Sequence, residues 1–324
     1  MAVSIRTYQE TDFHDVLATI NASARADGEA MLLSETALRA RLDTPHDLAE
    51  INSLEDSFVA EMPGAGVVAY ADAQVRCGAE AWLYRTQCFV RPEFRRRGIG
   101  RALMERLWLR AQELSGRFGG QKILLGAWAF DTRQAAIELF TRFSMRPVRY
   151  FFEMRHDLGA PIPSLQMPSG LQLLTWAERP DDRAIWAADE EAFADHWGHK
   201  PDSFERFEQR VNSGRLNREF SLIAWGGDQV AGGVLNDFGA ASVERRGKNM
   251  GWVGMVFVRR PWRKRGLGRA LLVASLLKAR EAGHASVGLN VDAENLTGAV
   301  RLYESVGFAV AARRVAYQRI YPEE

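Results

Sequence analysis

The chain has 324 residues, 47% of them hydrophobic and 26% charged, which is the balance of an ordinary globular protein at a length suited to two domains. With 42 basic and 41 acidic residues the net charge is +1, which excludes a global basic field for nucleic acid. Cys77 and Cys88 are too few for a disulfide framework or a cysteine-based zinc site, and no apolar run reaches the ~18 residues of a membrane span. The expectation is therefore a cytoplasmic protein with no metal and with neither nucleic acid nor membrane as partner.

Taken in chain order, SFVAEM (57–62), VVAYADAQV (67–75) and WLYRTQCFV (82–90) read as strands from their β-branched and aromatic content. A helix is predicted over 98–115, then the strand KILLGAWAF (122–130), the helix DTRQAAIELFTRF (131–143) and the strand region MRPVRYFFEMR (145–155). Pro161, Pro163 and Pro168 disfavour both helix and sheet interior, so 159–170 reads as a linker between domains at 1–158 and 171–324.

The second half repeats the order. FSLIAW (220–225) and QVAGGVLNDF (229–238) read as a hairpin turning through Gly227 and Asp228, and GWVGMVFV (251–258) as a further strand. Leu267, Ala270, Leu271, Ala274 and Leu277 recur at helical spacing in a helix that ends near Gly283. ASVGLNVD (285–292) is then a strand, NLTGAVRLYESVG (295–307) a short helix, and FAVAARRVAYQRI (308–320) a terminal pair of strands. The predicted class is mixed α/β, an α+β arrangement with a mixed sheet, built twice by internal duplication.

The repeat is sharpest where FVRPEFRRRGIGRALM (89–104) and FVRRPWRKRGLGRALL (257–272) align at an offset of 168 residues. Each contains Arg-x-x-Gly-x-Gly between a strand and a helix: Arg95, Gly98 and Gly100, then Arg263, Gly266 and Gly268. Roughly 0.1 such matches arise by chance in a chain of this size, so two in register carry weight. Glycines at a helix start free successive N–H groups for an anion, and the helix dipole favours negative charge there. Arg95, Arg96, Arg97 and Arg101, and Arg263, Lys264, Arg265 and Arg269, are expected to add cationic reach toward a pyrophosphate, with Ile99 and Leu267 beside the glycines. A dinucleotide-binding GxGxxG is absent from both turns.

These residues resemble the GCN5-related N-acetyltransferases, whose strand–turn–helix motif matches Val90 to Gly100 and Val258 to Gly268. The resemblance covers both halves and implies acetyl-CoA as co-substrate. It places Cys88, Phe89 and Val90, and Val256, Phe257 and Val258, on the strand that pairs with the coenzyme arm. It implies Tyr303 as the acid toward the departing thiolate and Asn295 as a coenzyme contact. The first half has Phe140 where the second has Tyr303, and Ser144 and Met145 where it has Gly307 and Phe308. The first copy is therefore expected to bind or to be vestigial, and the second to catalyse.

Acetyl transfer to an amine near pKa 10.4 requires help in removing a proton at neutral pH. Asp237 and Glu244 are candidates for that base, with Glu190, Glu191 and His196 as alternatives; Glu191, His196 and Trp197 are candidates for shaping the acceptor pocket. Neither cysteine has a recognisable activating partner, which favours direct attack over a covalent enzyme intermediate. The expected acceptor is a small-molecule primary amine; the alternative is a non-catalytic acyl-CoA-binding sensor or regulatory protein in which both copies only bind.

Overall fold

The computed structural model describes residues 3–28, 32–43, 46, 53–78, 80–194, 201, 203–212, 216–239, 249–294 and 298–322. They fall into two compact units: unit 1 is Met1–Tyr150 with Arg314–Glu324, and unit 2 is Phe151–Arg313.

In unit 1, β1 (Ser4–Thr7), β2 (Ser57–Met62), β3 (Gly66–Arg76) and β4 (Trp82–Val90) form an antiparallel run, and β5 (Ile123–Phe130) joins β4 in parallel. Helices α3 (Ile99–Arg117) and α4 (Gln134–Arg142) cover one face, burying Leu103, Leu107 and Leu114 against Tyr84, Ile123 and Leu125. Helices α1 (Phe13–Ala26) and α2 (Glu35–Leu42) cover the other, where Val16, Ile20 and Leu38 meet Val59 and Tyr70. Apolar residues on both faces of β2 and β3 explain why these strands read as continuous hydrophobic runs.

Unit 2 repeats the plan. β7 (Gln172–Thr175), β8 (Leu222–Gly226), β9 (Gln229–Asp237) and β10 (Met250–Val258) are antiparallel, and β11 (Ser286–Asp292) is parallel to β10. Helices α5 (Asp182–Phe193) and α6 (Phe204–Asn212) pack with Trp176, Ile223 and Phe257 on one face. Helices α7 (Leu267–Glu281) and α8 (Ala299–Glu304) pack with Val253, Val287 and Leu289 on the other.

The last strand of each half does not stay with its own half. β6 (Arg146–Asp157) lays Phe151–Asp157 antiparallel to β11 in unit 2, and β12 (Ala309–Tyr321) lays Arg314–Tyr321 antiparallel to β5 in unit 1. The hydrophobic pattern of a strand specifies which faces it buries, not which sheet edge receives it, and this places the unit boundaries away from the proline stretch. The predicted terminal pair is likewise one strand, because no glycine, proline or asparagine interrupts Ala309–Tyr321.

Candidate active site

In unit 1, β4 ends at Val90, a 3-10 turn follows at Pro92–Phe94, and α3 begins behind Gly98. In unit 2, β10 ends at Val258, the turn is Arg260–Trp262, and α7 begins behind Gly266. The backbone path is the same. Gly98 and Gly266 have φ of +82° and +85°, and Arg96 and Lys264 are left-handed at +64° and +59°. A Cβ at Gly98 or Gly266 would meet nothing within 4 Å among the described residues, so glycine is there for its conformation and not for space. A non-glycine residue held left-handed costs on the order of 1 kcal/mol, and both copies keep one at the same place in the turn, two residues before the first glycine. Glycine offers no capping side chain, which leaves the first-turn amides of α3 and α7 to an anion.

The second glycine of each motif serves packing. A Cβ on Gly268 would lie 3.1 Å from Leu302 Cδ2, and one on Gly100 would lie 3.6 Å from Leu139 and from Val90. The motif arginines also differ from expectation. Arg95 Nε donates to the Val90 carbonyl at 3.1 Å and its terminal nitrogens hold Asp27 at 2.8 and 2.9 Å. Arg263 Nε donates to the Val258 carbonyl at 3.0 Å, and Nη2 to the Ala192 carbonyl at 3.1 Å. Both guanidinium groups satisfy carbonyls left over where a strand stops, so they brace the turn and do not extend from it.

The remaining cations distinguish the copies. Arg96 pairs with Glu138, Arg101 with Glu105, and Arg97 donates to the Glu93 carbonyl. Lys264, Arg265 and Arg269 have no ion-pair partner among the described residues. Positive charge is thus less neutralised at the turn of unit 2.

Ahead of each turn two parallel strands separate. β4 pairs with β3 as far as Val90 but with β5 only over Trp82–Arg85; β10 pairs with β9 as far as Val258 but with β11 only over Met250–Trp252. Past those points the edges of β4 and β10 facing β5 and β11 have no strand partner among the described residues, which makes a slot for an extended chain that can exchange backbone hydrogen bonds. Cys88, Phe89, Val90, Val256, Phe257 and Val258 lie along these slots. Phe89 and Phe257 turn into the cores beneath α1 and α5, while Cys88, Val90, Val256 and Val258 face α3 and α7.

The slots are not equivalent. The β10–β9 register slips between Val253 and Met255, a bulge at Gly254, where a Cβ would lie 3.2 Å from the Leu235 carbonyl; β4 has no bulge. The extra residue makes Trp252 correspond to Arg85 and Val253 to Thr86. In unit 1 the Thr86 hydroxyl donates to the Gly126 carbonyl at 3.0 Å, tying β4 to β5 where the slot opens. An ungapped repeat concealed the bulge, although a glycine in mid-strand was its available signal.

Tyr303 on α8 is 9% exposed, packs edge-on to Phe308 at 6.1 Å, and its hydroxyl has no hydrogen-bond partner among the described residues. Burial pushes its pKa up to about 12. The corresponding chain in unit 1 keeps the same helix end, with Met145 N donating to Phe140 O as Phe308 N does to Tyr303 O, and Ser144 held left-handed at +55° in place of Gly307 at +97°. Only the hydroxyl is missing there. Burial also pushes the Cys88 thiol up to about 12, so it is no nucleophile at neutral pH.

Asp237, buried at the end of β9, stands opposite Trp252, which stands opposite Gly288 on β11, and that opposite Arg155 on β6. The Trp252 ring lies against Gly288, where a Cβ would fall 2.5 Å from it. Arg155 holds Glu153 at 2.7 Å. Glu153 and Arg155 were missed by sequence reasoning because their strand was assigned to the first half. Glu191 is brought elsewhere: its carboxylate accepts from Arg259 Nε at 2.6 Å, which ties α5 to the end of β10. Glu244, Asn295, His196 and Trp197 lie outside the described residues. Among the described residues no three His, Cys, Asp or Glu side chains are placed to hold a metal ion, and no helix is long and apolar enough to cross a membrane.

Split parallel strands leading to a glycine turn and a helix, twice in one chain, define a tandem acetyltransferase fold. The acetyltransferase (GNAT) family matches residues 173–308 and the acetyltransferase (GNAT) domain matches residues 53–143. The chain belongs to the GNAT family as two modules in tandem and is an N-acetyltransferase. It is 31% identical to the mycothiol acetyltransferase of Thermobispora bispora over 95% of this chain and 96% of that relative, and 31% identical to the one from Salinispora arenicola over 94% and 92%. Among solved structures it is similar to a GCN5-related N-acetyltransferase from Sphaerobacter thermophilus, with 28% identity, TM-score 0.75, and coverage of 98% and 95%. A tandem GNAT protein from the clavulanic acid biosynthesis pathway shares the fold at 19% identity, TM-score 0.72, with both chains fully covered.

Proposed function

We propose that unit 2 transfers an acetyl group from acetyl-CoA to the primary amine of a small molecule by direct attack, and that unit 1 binds without catalysing. Acetyl-CoA supplies the activated acetyl group. The amides behind Gly266, with Lys264, Arg265 and Arg269, hold its pyrophosphate, and the free edge of β10 at Val256–Val258 pairs with its arm. As the new carbon–nitrogen bond forms and the carbon–sulfur bond breaks, the Tyr303 hydroxyl donates to the departing sulfur and Asp237 takes up the amine proton. With the tyrosine near pKa 12 and a thiol near 8.5, complete proton transfer is uphill by about 5 kcal/mol, so Tyr303 acts as a hydrogen-bond donor and the thiolate leaves to solvent. The relatives are named for mycothiol, which makes the mycothiol-forming amine the first acceptor to assay.

The observation that carries the assignment to unit 2 is the pairing of the Gly254 bulge with the Tyr303 hydroxyl, both absent from unit 1. Calorimetric titration of acetyl-CoA tests the binding half of the reading. Arg265→Glu with Arg269→Glu should weaken the dominant site at least about tenfold, since each charge-assisted contact is worth about 1.5–3 kcal/mol. An unchanged affinity in that variant would remove the turn of unit 2 from the account.

A further inference from the structure

The cross-strand row that carries Asp237 in unit 2 has a counterpart in unit 1 with the opposite charge. Gln74 on β3, Arg85 on β4, Gly126 on β5 and Gln318 on β12 stand opposite one another, as do Asp237, Trp252, Gly288 and Arg155. Where unit 2 has a carboxylate beside a tryptophan, unit 1 has a neutral amide beside a guanidinium. At the end of the row Arg155 is matched by its own Glu153, while Gln318 is neutral. The row changes from a net negative to a net positive one.

Arg85 has one hydrogen bond, from Nη2 to Gln74 Oε1 at 3.2 Å, and no carboxylate within ion-pairing distance among the described residues. The charges that act on it are the guanidinium groups of Arg76, Arg41 and Arg314 and the carboxylate of Asp72. Asp72 is already occupied, since Arg41 grips both its oxygens and the Tyr70 hydroxyl donates to one at 3.1 Å. Burial, and then the like charges, lower the pKa of Arg85. A half-buried cation in such surroundings is relieved by an external anion. Arg85 sits at the last position where β4 and β5 are joined, at the mouth of the slot. Trp128 and Phe130 lie on the same face of β5 as Gly126, with the Arg314 guanidinium 5.6 and 5.4 Å from their rings.

We propose that this face of unit 1 binds a small organic anion, a carboxylate or phosphate joined to a flat apolar group, with Arg85 on the anion and Trp128 and Phe130 against the apolar part. The site is separate from the proposed chemistry of unit 2 and stands or falls without it.

The test is calorimetric titration of the full-length protein with benzoate and with phenyl phosphate. Binding of either probe, weakened at least tenfold by Arg85→Gln, supports the site, and the probe preferred identifies the anion as carboxylate or phosphate. Gln74→Glu supplies a decision that does not depend on how Arg85→Gln folds: it sets a carboxylate beside Arg85, as Asp237 stands beside Trp252, and should abolish binding without loss of thermal stability. The proposal is overturned if neither probe binds the wild type, or if binding stays within twofold in both variants. Loss of binding in Arg97→Gln with Arg101→Gln, and not in the Arg85 and Gln74 variants, would place the anion at the glycine turn and equally overturn it.

Discussion

At the scale of single residues, the chemistry proposed for the second unit turns on side chains whose burial sets their behaviour. Tyr303, with its pKa pushed up to about 12, stays protonated throughout the working range, so kcat should show no falling alkaline limb between pH 8 and 10; such a limb in a pH–rate profile would count against a tyrosine donor. His156 on β6 is 1% exposed and packs edge-on to Phe308 at 5.6 Å, and burial depresses its pKa. The unfolded chain therefore takes up a proton below about pH 6.5 that the folded chain refuses, so stability is complete above that pH and declines as pH falls. Thermal unfolding followed from pH 7.5 to 5.5 should show the decline, and His156→Gln should flatten it. Gly288→Ala has a different origin. Its methyl would displace the Trp252 ring from 2.5 Å, and destabilisation of about 1–3 kcal/mol with impaired turnover is expected from urea titration and kinetics.

At the scale of elements, the exchange of β6 and β12 makes each unit depend on a strand from the other half of the sequence. A fragment of residues 1–158 keeps β5 but loses Arg314–Tyr321, which leaves Ile123–Phe130 as an open edge with a buried, apolar face. Such a fragment should aggregate or unfold in size-exclusion and circular dichroism measurements, whereas a soluble, cooperatively folding one would contradict the exchanged topology. The sequence made the strand–turn–helix of each copy legible because periodicity, glycines and basic residues all coincide between Phe89 and Met104 and between Phe257 and Leu272. It did not reveal the exchange, since Phe151–Asp157 and Arg314–Tyr321 have the pattern of a strand in either sheet. The bulge at Gly254 shifts one residue of a repeat that otherwise aligns without gaps, and Glu153 and Arg155 came into view only with the strand that carries them. The motif arginines Arg95 and Arg263 were legible in type but not in direction, because whether a guanidinium braces its own turn or reaches outward depends on the carbonyl left free at the strand end.

At the scale of the whole molecule, duplication has produced two units with one backbone plan and different side-chain investments. Unit 1 keeps the glycine turn but pairs its surrounding cations with its own acids, ties the slot at Thr86 and lacks the tyrosine hydroxyl. Unit 2 leaves Lys264, Arg265 and Arg269 available, bulges at Gly254 and carries Tyr303. The central claim, that chemistry belongs to unit 2, is tested most directly by the full-length Tyr303→Phe variant, which removes one oxygen and restores the residue type of the first copy. Coenzyme release on acetylation of an amine should fall at least about a hundredfold in kcat, the lower range of general-acid catalysis, while the calorimetric affinity for acetyl-CoA stays within twofold. A variant that turns over at the wild-type rate would contradict the assignment of catalysis to Tyr303.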